Sequence, residues 1–218
     1  MSEKFVKKWG EREEYQPPLG IRVKEAVRPP GPLKPRLDFA VRRIEAQIQR
    51  LDQTSDRFSE RDKSLFAKVV ESYSKHDLPH ASVFASELAE IRKLEKTVIN
   101  ARLALEQIVL RLKTVTELGD MVSTLAPVVG VLRNVRTAIA GVLPEAGGEL
   151  EQIGTLLSGI IMDAGQTTGL TLNFEATNED AQKILTEAAT VAEQRVKEKF
   201  PELPAGIPAV GERTQTQT

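Results

Sequence analysis

The sequence predicts an all-α protein, built on a long antiparallel helical hairpin that shorter helices follow. The first observation is a heptad pattern of apolar residues that persists through two consecutive segments, 37–72 and 80–122. The second is the short break at 74–79, where Pro79 suits the first turn of a new helix. A break this short makes the two helices antiparallel neighbours, so residues 37–122 are predicted to form one hairpin.

The apolar seams of both long helices support this prediction. In the first helix the two seams are Leu37, Ile44, Leu51, Phe58 and Leu65, and Val41, Ile48, Ser55, Asp62 and Val69. In the second helix the seam is Ile91, Leu94, Val98, Ala101, Leu105, Ile108, Leu112, Val115 and Val122. Alternating spacings of three and four indicate paired long helices and not a fold around a cleft. Ser55 and Asp62 indicate either a device that fixes register or an exposed stretch.

The composition narrows the functional class. The 218 residues include no cysteine, which excludes disulfides, thiolate chemistry and cysteine-type zinc sites. Residues 1–113 carry 23 lysines and arginines against 17 acidic residues, whereas residues 114–218 carry 7 against 14. A basic half joined to an acidic half can fold back on itself, and once released it can face anionic lipid or nucleic acid. The alternative is that both halves are solvated helix faces.

Residues 1–9 are predicted to be an amphipathic membrane-binding segment. At about 100° per residue, the apolar side chains fall on one face of a helix and the lysines on the other. The residues of the predicted membrane contact are Met1, Lys4, Phe5, Val6, Lys7, Lys8 and Trp9. Apolar aromatics opposite lysines are typical of helices that lie in a membrane interface. The alternatives are a frayed terminus or a patch that docks on the protein's own core.

Residues 10–36 are predicted to be a Pro-rich basic linker. Six prolines between positions 17 and 35 remove backbone donors and favour extended chain. A semi-rigid tether is one interpretation, and a ligand for an SH3-type domain is the other.

A row of arginines forms a basic face on the first helix. Arg36, Arg43, Arg50 and Arg57 are seven residues apart, and Arg42 precedes one of them. Such a row lies along one side of the apolar seam. It is either a solvated flank of the coiled coil or a strip that faces lipid or a partner protein.

Beyond the hairpin, three further regions are predicted. Residues 123–176 contain short helices with glycines between and within them, which indicate bends, close packing and joints. Residues 177–200 form an acidic C-terminal helix, with Thr177 and Asp180 as a capping box. Residues 201–218 form a proline-containing tail.

The sequence predicts no enzymatic activity, no catalytic residues, no cofactor and no metal site. His76 and His80 are four residues apart, but Pro79 lies between them and a third ligand is missing nearby. The acidic pairs Glu87/Glu90 and Asp56/Glu60 lack the Glu-x-x-His arrangement of di-metal helical bundles.

The pattern as a whole resembles the ESCRT-III proteins, and among them the archaeal Cdv cell-division paralogues that lack a winged-helix extension. The stretches that carry the resemblance are RLDFAVRRIEAQIQRL (36–51) and ASVFASELAEIRKLEK (81–96), within a match over residues 36–200. The resemblance implies a cytoplasmic protein, peripheral on the inner face of the cell membrane at the division site. It would polymerise with itself and with paralogous subunits on anionic lipids and constrict the membrane, and nucleic acid is not expected as a partner.

The resemblance also implies disassembly by an AAA ATPase. In the family, short proline-spaced motifs of the tail dock into a helical adaptor domain of that ATPase. The residues that match this style are Pro201, Leu203, Pro204, Ile207 and Pro208. Alternatively, these prolines only end the preceding helix. The rival functional class is a soluble coiled-coil adaptor or scaffold without membrane activity.

Overall fold

The computed structural model of the protein describes residues 32–115, 118–168 and 174–200. Five α-helices follow one another in this part of the chain. Their bounds are Leu33–Ser74 (α1), Leu78–Lys113 (α2), Leu118–Ile139 (α3), Pro144–Thr168 (α4) and Phe174–Lys199 (α5). The predicted all-α class, with a long hairpin followed by shorter helices, is confirmed.

A turn at residues 75–77 joins α1 to α2. His76 takes a left-handed backbone conformation with φ of 57°, which is uncommon for a residue other than glycine. Asp77 caps α2, because its side chain accepts a hydrogen bond from the backbone N–H of His80 at 3.3 Å. Pro79 lies in the first turn of α2, where a backbone N–H would lack a helical partner.

The heptad seams form the interface between α1 and α2. The buried seam residues are Leu37, Val41, Ile44, Leu51, Leu65 and Val69 on α1 and Val98, Ala101, Leu105, Ile108 and Leu112 on α2. Ion pairs flank this interface: Arg102 Nη1 lies 2.5 Å from Asp52 Oδ1, and Lys113 Nζ lies 2.7 Å from Glu45 Oε1. Both pairs join early α1 positions to late α2 positions, as an antiparallel hairpin requires.

The three shorter helices pack beside the hairpin. Helix α3 packs against α2 and α4, α4 packs against α1, and α5 packs against α2 and α3. Apolar residues of all three helices belong to the main core, among them Leu132 of α3, Ile153 of α4 and Ile184 of α5. This arrangement brings α4 beside the arginines of α1 and the end of α5 beside the middle of the hairpin.

The buried apolar residues form two clusters. The main cluster draws on all five helices. The second contains Leu65, Val69, Ala85 and Leu88, which come from α1 and α2 alone and lie toward the turn. Residues 63–91 are called the hairpin tip below. Buried polar residues, described in the next subsection, lie between the two clusters.

The observed helix bounds differ from the predicted ones at several places. Helix α1 begins at Leu33, so residues 33–36 of the predicted linker are helical. Helix α5 begins at Phe174, so Thr177 and Asp180 lie inside the helix and are not its capping box. Helix α2 ends at Lys113 and not at 122. Thr114 is its C-cap, and the backbone N–H of Thr114 donates hydrogen bonds to the carbonyl oxygens of Arg111 and Leu112. Val122 is buried within α3, so the apolar pattern continues across the break and does not reveal it. Helix α4 contains five of the glycines that suggested bends and joints, and its burial against α1 and α3 outweighs their low helix propensity.

Candidate interaction surfaces

The arginine row of α1 meets acidic residues of α4. Arg36 forms a salt bridge with Asp163. Nη2 of Arg43 lies 2.6 Å from Oε2 of Glu149 and 2.8 Å from Oε1 of Gln152. These contacts join residues more than 100 positions apart. Two members of the row are therefore engaged by the acidic half of the chain.

Local geometry and electrostatics support this contact between α1 and α4. A Cβ atom at Gly159 would lie 3.2 Å from Nη2 of Arg36, so the glycine leaves room for the guanidinium group. The hydrogen bond from Arg43 lowers the pKa of Glu149 against the opposing effect of burial, and the charges of Arg43 and Arg50 act in the same direction. The other arginines of this face, Arg42, Arg50 and Arg57, are exposed.

A layer of polar residues separates the two apolar clusters. Glu95 of α2 is fully buried, at 0% exposure. Its Oε1 accepts hydrogen bonds from Ser55 Oγ at 3.3 Å and from Lys199 Nζ at 2.7 Å. The buried Asp62 accepts a hydrogen bond from Arg92 Nε at 2.6 Å. These residues, Ser55, Asp62, Arg92, Glu95 and Lys199, are called the polar layer below.

The polar layer holds the end of α5 on the hairpin. Burial raises the pKa of Glu95, and the Lys199 and Ser55 hydrogen bonds only partly oppose this rise. Its second oxygen, Oε2, is buried without a hydrogen-bond partner among the described residues. Phe200 follows directly and is 9% exposed, with the guanidinium carbon of Arg92 5.1 Å from its ring centroid. Removal of α5 would leave Glu95 without its cationic partner.

The surfaces of the described residues suit binding by ion pairs and apolar contacts. Within these ranges, no group of three or more histidines and acidic residues is placed to hold a metal ion. His80 instead pairs through Nδ1 with Asp77 Oδ2 at 2.7 Å. None of the described helices is long and apolar enough to span a bilayer.

Comparison with curated proteins identifies relatives. Over 174 residues the chain is 47% identical to cell division protein B1 of Sulfolobus acidocaldarius, a match that covers 80% of this chain and 81% of the relative. The chain belongs to the ESCRT-III family. A second ESCRT-III relative, cell division protein B of the same organism, is 35% identical over 162 residues, which are 74% of this chain and 62% of that protein. No family model and no solved structure matches the sequence.

The predicted site residues of this ESCRT-III protein fall into two groups. The arginines of α1 lie within the described part of the chain, and Arg36 and Arg43 are brought to α4. The remaining residues lie outside the described ranges: Met1, Lys4, Phe5, Val6, Lys7, Lys8 and Trp9 at one end, and Pro201, Leu203, Pro204, Ile207 and Pro208 at the other. Membrane contact and ATPase docking by these residues stay predictions.

Sequence reasoning did not identify Glu95, Arg92 or Lys199 as members of a buried site. Glu95 and Arg92 could have been found from the sequence. An antiparallel hairpin that turns near residue 76 places positions 90–100 opposite the polar seam residues Ser55 and Asp62. Of the two interpretations of those seam residues, the exposed stretch is wrong, since both are buried. The sequence carried no comparable signal for Lys199, which comes from a distant helix.

Proposed function

We propose that this ESCRT-III protein is a filament subunit of a cell-division machinery of the archaeal type. It polymerises on membrane, constricts it, and is disassembled by an AAA ATPase. The observation that carries the proposal is the 47% identity to a protein named for cell division, over 81% of that protein's length. The function is one of assembly and not of catalysis.

The membrane contact is assigned to residues 1–9. Burial of Phe5 and Trp9 in the interface contributes a few kcal/mol at about 25 cal/mol per Å² of apolar surface. Each of the neighbouring lysines adds about 1 kcal/mol near anionic lipid. The exposed Arg42 and Arg57 of α1 offer a second basic surface, which grows when Arg36 and Arg43 leave α4.

Assembly is proposed to require opening of the closed arrangement. The contacts that support this are ionic and join the basic hairpin to the acidic half, through Arg43–Glu149 and Lys199–Glu95. Opening at the segments between the helices would free hairpin surfaces for copies of this chain and for paralogous subunits. Deletion of residues from Asn178 onward should therefore promote assembly at low salt, which sedimentation would detect.

The tail is proposed to recruit the ATPase. Prolines at 201, 204 and 208 bias the backbone to an extended form, which lowers the ordering cost of binding in a groove. Leu203 and Ile207 are the side chains assigned to pockets of the helical adaptor domain. A filament presents many copies of such a tail, so weak single contacts add up to stable recruitment.

Co-sedimentation with anionic liposomes, followed by electron microscopy of the pellet, tests the proposal. The wild-type chain should sediment with liposomes and form filaments at physiological salt, and Phe5→Asp with Trp9→Asp should abolish sedimentation. The matched control is Leu110→Asp, an apolar residue that is 67% exposed on α2. Unchanged binding by the double variant would exclude residues 1–9 as the anchor. A wild-type chain that neither sediments nor forms filaments would favour the soluble adaptor.

A further inference from the structure

An open groove lies between α3 and α4. It has a volume of about 270 Å³ and is lined by residues of these two helices alone. The buried Leu132 and Leu150 and the half-buried Val129 form its apolar floor. Gly154 leaves the space above α4 free, because a Cβ atom at this position would meet no atom within 4 Å. The groove, called the α3–α4 groove below, therefore has room for side chains of another segment.

Apolar surface continues beyond one end of the α3–α4 groove. Ser158 lines this end, and Met162 follows it by four residues, so both lie on one face of α4. Met162 is 65% exposed, and flexible methionine side chains are common on surfaces that bind other proteins. The stretch of α4 from Leu150 to Met162 is about 18 Å long at about 1.5 Å per residue. This length matches a partner helix of about three turns.

The α3 wall of the groove is positively charged. Arg133 and Arg136 line it, and they are the only basic residues between positions 114 and 182, where nine residues are acidic. Nη1 of Arg136 lies 3.2 Å from Oε1 of Glu151. The exposed Arg133 forms no ion pair with any residue of the described ranges. The positive charge of this wall is thus only partly balanced, and it can pair with an acidic partner.

The α4 wall of the groove presents hydrogen-bond acceptors. Glu151 contributes a carboxylate. The hydroxyl groups of Thr155 and Ser158 donate within their own helix, to the carbonyl oxygens of Glu151 at 3.0 Å and of Gly154 at 2.8 Å. A phosphate group in the groove would face these acceptors, and the carboxylate would repel it. A helix can instead direct carboxylates to α3 and other side chains to α4, so the groove favours a helix over a phosphate-bearing ligand.

We propose that the α3–α4 groove binds an amphipathic helix of a partner protein, one that carries acidic residues along one edge of its apolar stripe. Apolar side chains of the helix, spaced by three and four residues, cover Val129, Gly154 and Met162. Its carboxylates pair with Arg133 and Arg136, and these charge-assisted hydrogen bonds fix its orientation. The surface is distinct from the residues assigned above to membrane and ATPase, so the two proposals can fail separately.

Fluorescence anisotropy with the full chain and a labelled peptide tests the proposal. The probe is a helical peptide of about 16 residues of leucine, alanine and glutamate, with leucines spaced by three and four and glutamates along one edge of that stripe. The wild-type chain should bind it saturably, with Kd on the order of tens of micromolar.

A reversal of charge in the groove should reverse its preference for peptides. Arg133→Glu with Arg136→Glu should weaken binding of the probe at least about tenfold, because two charge-assisted pairs are lost. A second peptide with lysine in place of each glutamate should bind this variant more tightly than it binds the wild type. The control, Arg42→Glu with Arg57→Glu, makes the same change of charge on α1 and should alter binding of the probe less than about twofold.

A second pair of variants fills the groove without a change of charge. Gly154→Leu places a side chain in the open space above the floor and should abolish binding of the probe. Gly148→Leu is its control, since a Cβ atom at this exposed position of α4 also meets no atom within 4 Å, and it should bind as the wild type does.

Three outcomes would overturn the proposal. The first is the absence of saturable binding to the wild-type chain. The second is an equal effect of the groove variants and their controls. The third is loss of binding to anionic vesicles by the Arg133→Glu, Arg136→Glu chain when the peptide binds neither protein, which would assign the groove to lipid headgroups.

Discussion

Lys199, the last residue of α5, places its Nζ 2.7 Å from Oε1 of Glu95 in the middle of the hairpin. The Glu95 side chain is 0% exposed, whereas that of Lys199 is 35% exposed. The carboxylate of Glu95 has therefore lost its hydration, and the ammonium group of Lys199 offsets part of the free-energy cost of that loss. The contact couples the position of α5 to the charge state of the hairpin interior.

Replacement of Lys199 should weaken the closed fold. Lys199→Met is expected to lower the free energy of unfolding by about 2 kcal/mol, because it leaves a buried carboxylate without its cation while solvent near Lys199 moderates the loss. Urea denaturation measures the change. The control is Lys183→Met, whose exposed pair with Asp180 should contribute less than about 0.5 kcal/mol. Equal losses in both variants would contradict a special role for Lys199.

Glu95 should make stability depend on pH. Burial raises its pKa in the folded state, so the folded protein binds this proton more tightly than the unfolded chain does. The resulting stabilisation is complete below the ordinary pKa of 4.5 and is lost as pH rises through the raised folded-state pKa. Glu95→Gln should therefore flatten the dependence of Tm on pH above 4.5. The exposed Glu90→Gln serves as control, and parallel curves for wild type and Glu95→Gln would count against the assignment.

Release of the arginine row from α4 should strengthen binding to anionic vesicles. Glu149→Gln with Asp163→Asn removes the two acidic partners of Arg43 and Arg36. Each freed arginine adds up to about 1 kcal/mol near anionic lipid, so binding should tighten and depend more steeply on salt. Vesicle titrations at two salt concentrations measure this effect. The control, Glu145→Gln with Glu151→Gln, removes the same charge from α4 outside these pairs and should strengthen vesicle binding less. Equal strengthening by both double variants would mean that binding follows the net charge of α4 and not the release of the arginines.

Two glycines of α4 should respond differently to alanine. Gly154→Ala should raise the free energy of unfolding by up to about 1 kcal/mol, since alanine favours helix and a Cβ there meets no atom within 4 Å. Gly159→Ala should raise the free energy of unfolding by a smaller amount. Its Cβ would lie 3.2 Å from Nη2 of Arg36 and would displace that side chain from Asp163. Thermal unfolding of the two variants compares them directly. A larger gain for Gly159→Ala would mean that its close approach to Arg36 is unimportant.

The tail should bind the adaptor domain of the ATPase as a short motif. A peptide of residues 198–212 should bind with Kd on the order of micromolar to tens of micromolar, and Leu203→Asp with Ile207→Asp should abolish binding. Isothermal titration calorimetry measures both, with Glu212→Gln as a peptide of matched length that keeps the apolar residues. If binding is absent, or equal in all three peptides, the tail prolines only end α5.

Much of the hairpin could be predicted because its stability is encoded locally. Leu37, Ile44 and Leu51 repeat at seven-residue intervals, and this period specifies a buried seam whatever the rest of the chain does. The short turn with Pro79 then specifies the antiparallel partner. The arginine row was visible for the same reason, since seven-residue spacing places its members on one side of α1.

The partners of these surfaces could not be predicted, since they come from distant parts of the chain. Which acidic residue meets Arg43 depends on the packing of α4 against α1, and Glu149 lies 106 positions away. The contact of Lys199 with Glu95 spans 104 positions. The glycines of α4 indicate joints when propensity is considered alone, whereas its burial keeps them in one helix.

The polar layer has a mechanical consequence for the hairpin. On one side of it the two long helices share a core with three further helices, and on the other side four buried residues of α1 and α2 hold them together. Segments with few buried contacts open at a lower free energy than the rest of a protein. The part of the hairpin that packs against the other helices is therefore rigid, and the hairpin tip is more flexible. The boundary between the two parts lies at Asp62 and Glu95. Bending of a polymer built from such subunits would concentrate there.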